Sequence, residues 1–202
     1  MQDLTSTSQP SRGQAGATNE QAPVAYGTAL RAVAGCAART VPLLAGRRIH
    51  LRRAHLGLRL GFADGTSARV FRETVAGRGV AQDPCVLVVR FRLRGVRGAG
   101  HAIFRRESLL NTPLFVGFPG FVSKLWLAHD EHGFYRGLYE WDGPARAEQY
   151  ARSLWRVLAL VSVPGSIGYR VLPGICPADA LSGAAPGTGE WWRVTRSDDN
   201  VA

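Results

Sequence analysis

Between Pro84 and Pro173 the apolar residues change their spacing from every second position to every third or fourth and back again, and this alternation admits few folds. In residues 85–94 (CVLVVRFRLR), Leu87, Val89, Phe91 and Leu93 recur at period two with Arg90 and Arg92 between them, the signature of a strand. Gly95, Gly98 and Gly100 break it, and residues 101–110 set Ile103, Phe104, Leu109 and Leu110 on a helical stripe that weakens before Pro113. Phe118-Pro119-Gly120 reads as a turn, residues 121–128 as a second strand, residues 129–133 as a polar connection and residues 134–141 as a third, aromatic-rich strand. Asp142 then stands as a helix N-cap, with Pro144 in the first turn and Ala147, Tyr150, Ala151, Leu154 and Leu158 on one face. Residues 167–172 supply a fourth strand.

The order strand, helix, strand, strand, helix, strand is the split βαβ pattern of a ferredoxin-like α+β fold. Ahead of it, residues 55–62 and 67–73 flank Ala63-Asp64-Gly65-Thr66, a hairpin signal, and residues 28–41 read as a helix. The chain divides accordingly. Residues 1–24 hold almost no large apolar side chain to offset ordering entropy and read as a disordered tail. Residues 25–83 form the helix and hairpin extension, 84–174 the α+β domain, and 175–202 a loop-rich tail in which only Trp191-Trp192 points to docking.

The formal charge of +10 rests on arginine, Lys124 being the sole lysine, so it reads as compositional bias more than as a nucleic-acid surface. Cys36, Cys85 and Cys176 are odd in number and widely spaced, which fits neither a disulfide framework nor a zinc site. The N-terminus lacks a basic and an apolar segment of signal-peptide type, and Arg31, Arg39 and Pro42 interrupt the apolar stretch over 25–45. A cytoplasmic protein with no membrane association is therefore expected.

Helices in this fold cover one face of the sheet, and both faces here are apolar. With an even number of loop residues in the 129–133 connection, Val122, Lys124 and Trp126 share a face with Tyr135, Gly137, Tyr139 and Trp141, while Phe121, Leu125, Leu127, Phe134 and Leu138 share the other; an odd number would mix the two sets. A second face with several large side chains, each worth about 1.5–3 kcal/mol on burial, needs a cover. A homodimer pairing sheet on sheet supplies one; the hairpin folding over the face is the intramolecular substitute.

Asn111-Thr112-Pro113-Leu114, Phe118-Pro119-Gly120-Phe121, Lys124-Leu125-Trp126 and Gly137-Leu138-Tyr139-Glu140-Trp141 resemble the YdhR-like monooxygenases, a branch of the dimeric α+β-barrel proteins. The resemblance covers residues 84–173, under half of the chain, and the N-terminal extension lies outside it. It implies a dimer with a small-molecule cavity between sheet and helices. It also implies cofactor-independent oxidation, or cyclisation, of an aromatic or polyketide-like substrate. Fold alone does not fix that chemistry.

Such chemistry needs a base, a donor for the developing oxyanion and an aromatic box. His101 and Lys124 are the candidate base and anion-binding group, Tyr139 and Asn111 the candidate donors, and Trp126, Trp141, Phe104 and Tyr135 the substrate-binding aromatics. Each also has a plainer role: core packing for the rings, a surface place at a helix end for His101, an interface ion pair with Glu107 or Glu148 for Lys124. Glu140 points away from Lys124 in the even-loop register. His129-Asp130-Glu131-His132 diverge in a tight turn, and the glycines at 95–100 lack the strand-to-helix dinucleotide pattern. No metal, NAD or FAD is therefore expected. A non-catalytic ligand-binding or scaffold dimer is the alternative. An RNA-binding module is a weaker one, because Leu138 and Glu140 spoil the third-strand signature that Arg136-Gly137 begins.

Overall fold

A computed structural model describes residues 23–77, 81–108, 112–185 and 190–198. The expected tail over 1–24 falls almost entirely outside them, as does Asn111. The elements in chain order are α1 (Tyr26–Ala45), β1 (Ile49–Arg52), β2 (Arg59–Phe62), β3 (Ser67–Ala76), β4 (Pro84–Arg92), α2 (Gly100–Glu107), a 3-10 turn (Thr112–Leu114), β5 (Phe121–Leu127), β6 (Phe134–Asp142), α3 (Pro144–Val161), β7 (Gly168–Pro173), α4 (Pro177–Leu181) and β8 (Val194–Asp198). The strands lie in the order β7-β4-β6-β5-β3-β2-β8, with β1 also on β3. The inner four, β7-β4-β6-β5, are antiparallel and give the fourth, first, third and second strands of the βαββαβ unit in that spatial order. The protein has the ferredoxin-like α+β fold, enlarged by strands on the β5 edge.

Register decides which side chains meet. Lys124 stands opposite Tyr139 and Trp126 opposite Gly137, so the four lie on the face that carries α1 and α3. A bulge between Phe121 and Ser123 breaks the simple alternation. Phe121 is therefore on the helix face, ring to ring with Trp141 at 5.7 Å, and not on the far face where alternation alone put it. Asp142 also differs from expectation. It ends β6, and its carboxylate accepts from the backbone N–H groups of Gln82 and Asp83, both at 2.9 Å, while Gly143 occupies the N-cap of α3 without a side-chain cap. Asp142 thus ties the entry of β4 to the exit of β6.

The far face of the sheet is covered by the chain itself. Val86, Val88, Leu125, Leu127, Leu138 and Leu172 pack there against Leu60, Phe62 and Val70 of the β2–β3 hairpin and against Ala180, Trp192 and Val194. The stretch expected as a loop-rich tail supplies α4 and β8, and β8 pairs antiparallel with β2. A subunit partner is therefore not needed to bury this face.

Arg136 fixes the hairpin in place. Its guanidinium, 3% exposed, bonds Asp130 in the β5–β6 turn and Asp64 in the β2–β3 turn, and donates to Thr66 Oγ1 at 2.9 Å. Such a buried charge is tolerable because carboxylates on two sides answer it. On the other face α1 sits close to the loop after the 3-10 turn, where a Cβ on Gly117 would stand 2.0 Å from the carbonyl oxygen of Cys36. Only glycine permits that approach.

Candidate functional site

Between the sheet and the helices lies a cavity of about 780 Å³. Its inner wall is set by β5 and β6, whose period-two side chains Lys124, Trp126, Tyr135 and Tyr139 all point into it. Phe71 of β3, Phe115 after the 3-10 turn and Tyr150 of α3 extend the aromatic lining. Ile103 and Phe104 of α2 and Leu154, Leu158, Leu160 and Val161 of α3 border it on the solvent side. Gly137 is required on this wall, because a Cβ there would stand 2.7 Å from the Tyr139 ring. Without that methyl the phenol lies back across its own strand.

Lys124 is the group that most needs explaining. It is 6% exposed, and its Nζ lies 3.1 Å from the ring centre of Trp126, 4.5 Å from Tyr139 and 4.6 Å from Phe115. Among the described residues no carboxylate pairs with it and no acceptor takes its hydrogen bonds. Glu148, named as an ion-pair partner, instead accepts from the Tyr169 hydroxyl at 2.6 Å, and Glu140 accepts from Ser123 on the opposite face. Burial, and then the Arg72 charge, push the ammonium well below the usual lysine range. Ring faces act the other way, at about 2 kcal/mol for a desolvated contact, yet a lone buried ion costs several kcal/mol. Desolvation with a like charge nearby prevails, and the charged form of the amine is disfavoured.

Arg72 itself is anchored over the Trp126 ring and donates to Ser108 Oγ and to the Arg105 carbonyl at the end of α2. That contact answers the negative end of a helix and holds α2 over the cavity. Tyr139 is fully buried and raised in pKa by that burial, as is Tyr150, so both are neutral phenols. The Tyr150 hydroxyl donates to Tyr139 at 3.4 Å.

Of the residues singled out in the sequence, the structure brings Lys124, Tyr139, Trp126, Tyr135 and Phe104 to one cavity. His101 is not on its wall. Its Nδ1 is hydrogen-bonded to the Tyr135 hydroxyl at 2.7 Å, and its ring abuts His129 at 3.9 Å, so it stands behind Tyr135. Burial pushes Tyr135 up to about 12, and burial together with His129 pushes His101 down. Trp141 is not on the wall either: it is wholly buried between Phe121 and Tyr150, a core residue whose ring ends short of the cavity. Phe71, Phe115 and Tyr150 were missed as lining residues; the aromatic character of each was visible, but nothing local fixed their direction. In the 129–132 turn, Asp130 accepts from the backbone of His132 and Phe134, and Glu131 holds Ser67. Among the described residues no cluster of three or more His, Cys, Asp or Glu stands ready for a metal ion, and no helix is long and apolar enough to cross a membrane.

No protein-family model and no curated protein matches the chain. Solved structures that resemble it include an uncharacterised ferredoxin-fold protein related to antibiotic biosynthesis monooxygenases from Listeria monocytogenes, at 14% identity and TM-score 0.38, covering 54% of this chain and 64% of that one. A monooxygenase-like protein from Listeria innocua matches at 14% identity and TM-score 0.37, covering 55% of this chain and 67% of that one. An anthrone oxidase-like protein matches at 13% identity and TM-score 0.37, covering 55% of each chain. Likenesses of this size carry no chemistry across, and the fold assignment rests on the strand order given above.

Proposed function

We propose that the protein binds a flat, enolisable, aromatic or polyketide-like molecule in this cavity and converts it by cofactor-independent oxidation or a related cyclisation. The observation that carries the reading is a buried, unpaired amine among three aromatic rings on the inner wall of a cavity between sheet and helices. Neutral Lys124 takes the proton from a carbon activated by a nearby carbonyl, and the resulting ammonium faces the enolate it has made. Tyr139, which accepts from Tyr150, keeps its own proton for the oxyanion. For oxidation, the carbanion transfers an electron to dioxygen, the radicals combine to a carbon-bound peroxide, and loss of water leaves a new carbonyl. The methylene gives up two hydrogens and gains one oxygen atom, and the second oxygen departs as water. In this proposal the protein is a cytoplasmic homodimer of YdhR-like kinship that requires no metal or organic cofactor.

Oxygen uptake by metal-free protein with anthrone-type substrates tests the reading. Stoichiometric quinone formation that is lost in Lys124→Met supports it; equal rates in the two proteins overturn Lys124 as base. His101 standing behind Tyr135 leaves Lys124 without a second side chain on the wall that readily takes up and gives back a proton, since arginine stays charged, and this favours a second reading, ligand binding without turnover. Saturable binding with no product across a broad panel would select it.

A further inference from the structure

The cavity has a dry end and a wet end. Lys124, Phe115 and Tyr150 at the first are nearly inaccessible, whereas Ile103, Leu160 and Val161 at the second are half or more exposed despite being large and apolar. Arg94 lines the same wet end and is itself exposed. It is positioned from two directions: its backbone N–H donates to the Val161 carbonyl at 2.8 Å, and its Nη2 donates to the Ser162 carbonyl at 3.2 Å. Those bonds leave most of the guanidinium donors unused, and no carboxylate among the described residues pairs with it. The chain segments that form the opening are free of Asp and Glu over residues 93–106 and 149–163. An apolar cavity thus carries an unpaired amine at its dry end, an unpaired guanidinium at its wet end and no described anion on its wall.

We propose that the ligand is an elongated anion whose carboxylate, or a comparable acidic group, binds Arg94 at the opening while its flat end reaches Lys124. This rests on the reading of the cavity as a substrate site and narrows the substrate class. Lys124 stands opposite Tyr139, Tyr139 opposite Leu87, and Arg94 lies seven residues further along that strand and its continuation. At about 3.3 Å per residue the two levels are roughly 23 Å apart. Subtracting the reach of two long side chains leaves a ligand on the order of 10–20 Å long. A single ring is too short; a polycyclic acid, or a ring system on an acidic tail, fits.

Fluorescence titration with 1-pyrenebutyrate and with its carboxamide separates the charge from the ring system. The intact protein should bind the carboxylate roughly two- to tenfold more tightly, the range of an ordinary net hydrogen bond, because Arg94 is exposed. Arg94→Gln should remove that preference without weakening the carboxamide, and Arg94→Lys should retain most of it. Arg94 is exposed, so both variants should fold, and their thermal midpoints check this. Equal affinity of the intact protein for the two probes overturns the assignment. So does a preference that survives Arg94→Gln and disappears in Lys124→Met, which would put the acid at the dry end. If neither probe binds, the assignment and the cavity reading fail together. Loss of oxygen uptake on a neutral anthrone with the probe preference intact would fault the chemistry alone.

Discussion

Replacing Lys124 by Met removes the one titrating amine on the cavity wall and keeps a side chain of similar length and shape. In the folded chain this lysine sits below its ordinary range because of burial and Arg72, whereas in the unfolded chain it titrates near about 10.4. Between those two values the unfolded state binds the extra proton, so stability must rise with pH. One proton of difference gives a slope of up to about 1.4 kcal/mol per pH unit. Below the folded value the penalty for burying the charge is present in full; above about 10.4 it is gone. Met carries no such penalty. The expected result is a variant more stable than the parent at neutral pH, with the gap narrowing toward high pH. Urea unfolding of both proteins in steps from about pH 6 to about pH 10 reads the difference, and other titrating groups cancel in it. Parallel curves would refute the reasoning: the amine would then stay charged when folded, stabilised by the faces of Trp126, Tyr139 and Phe115, and would not serve as a base at neutral pH.

Gly137→Ala places a methyl against the Tyr139 ring and should cost about 1–3 kcal/mol in urea unfolding, with weaker binding of aromatic probes; no change in either would mean the ring moves freely. Arg136→Leu leaves Asp130 buried without its cation and should destabilise by about 3–5 kcal/mol, and a loss below about 1 kcal/mol would show that the two turns hold without it. Sedimentation at micromolar concentration tests the homodimer. A strictly monomeric 21.8 kDa species would overturn the proposed homodimer.

The split βαβ order was legible because residues 85–94 carry a period of two, β6 a run of strand-favouring aromatics and α3 a period of three to four. The shared face of Lys124, Trp126 and Tyr139 was legible for the same reason. Phe121 was misplaced because a bulge adds a residue without leaving a mark in composition. β8 was hidden because Val194–Asp198 is short and largely polar, and what makes it a strand is the open edge of β2. Asp142 carried a genuine capping signal, but the backbone of Gln82 and Asp83, distant in sequence, competed for the carboxylate and won. The site divides along the same line. Side chains fixed by a strand's own alternation were identified. Phe115 and Tyr150 depend on how a loop and a helix dock, and His101 was drawn to Tyr135 by a contact no spacing announces.

Trp192 and Val194 reach back from the far end of the chain to lie on Val86, Val88 and Leu138. A fragment stopped at Pro173 would retain every strand and helix of the recognisable motif and still be crippled, because the part of its underside that Ala180, Trp192 and Val194 cover would be bare oil. Such a piece should clump, or couple to its like, so the smallest unit able to live alone runs well past the motif by which it is recognised.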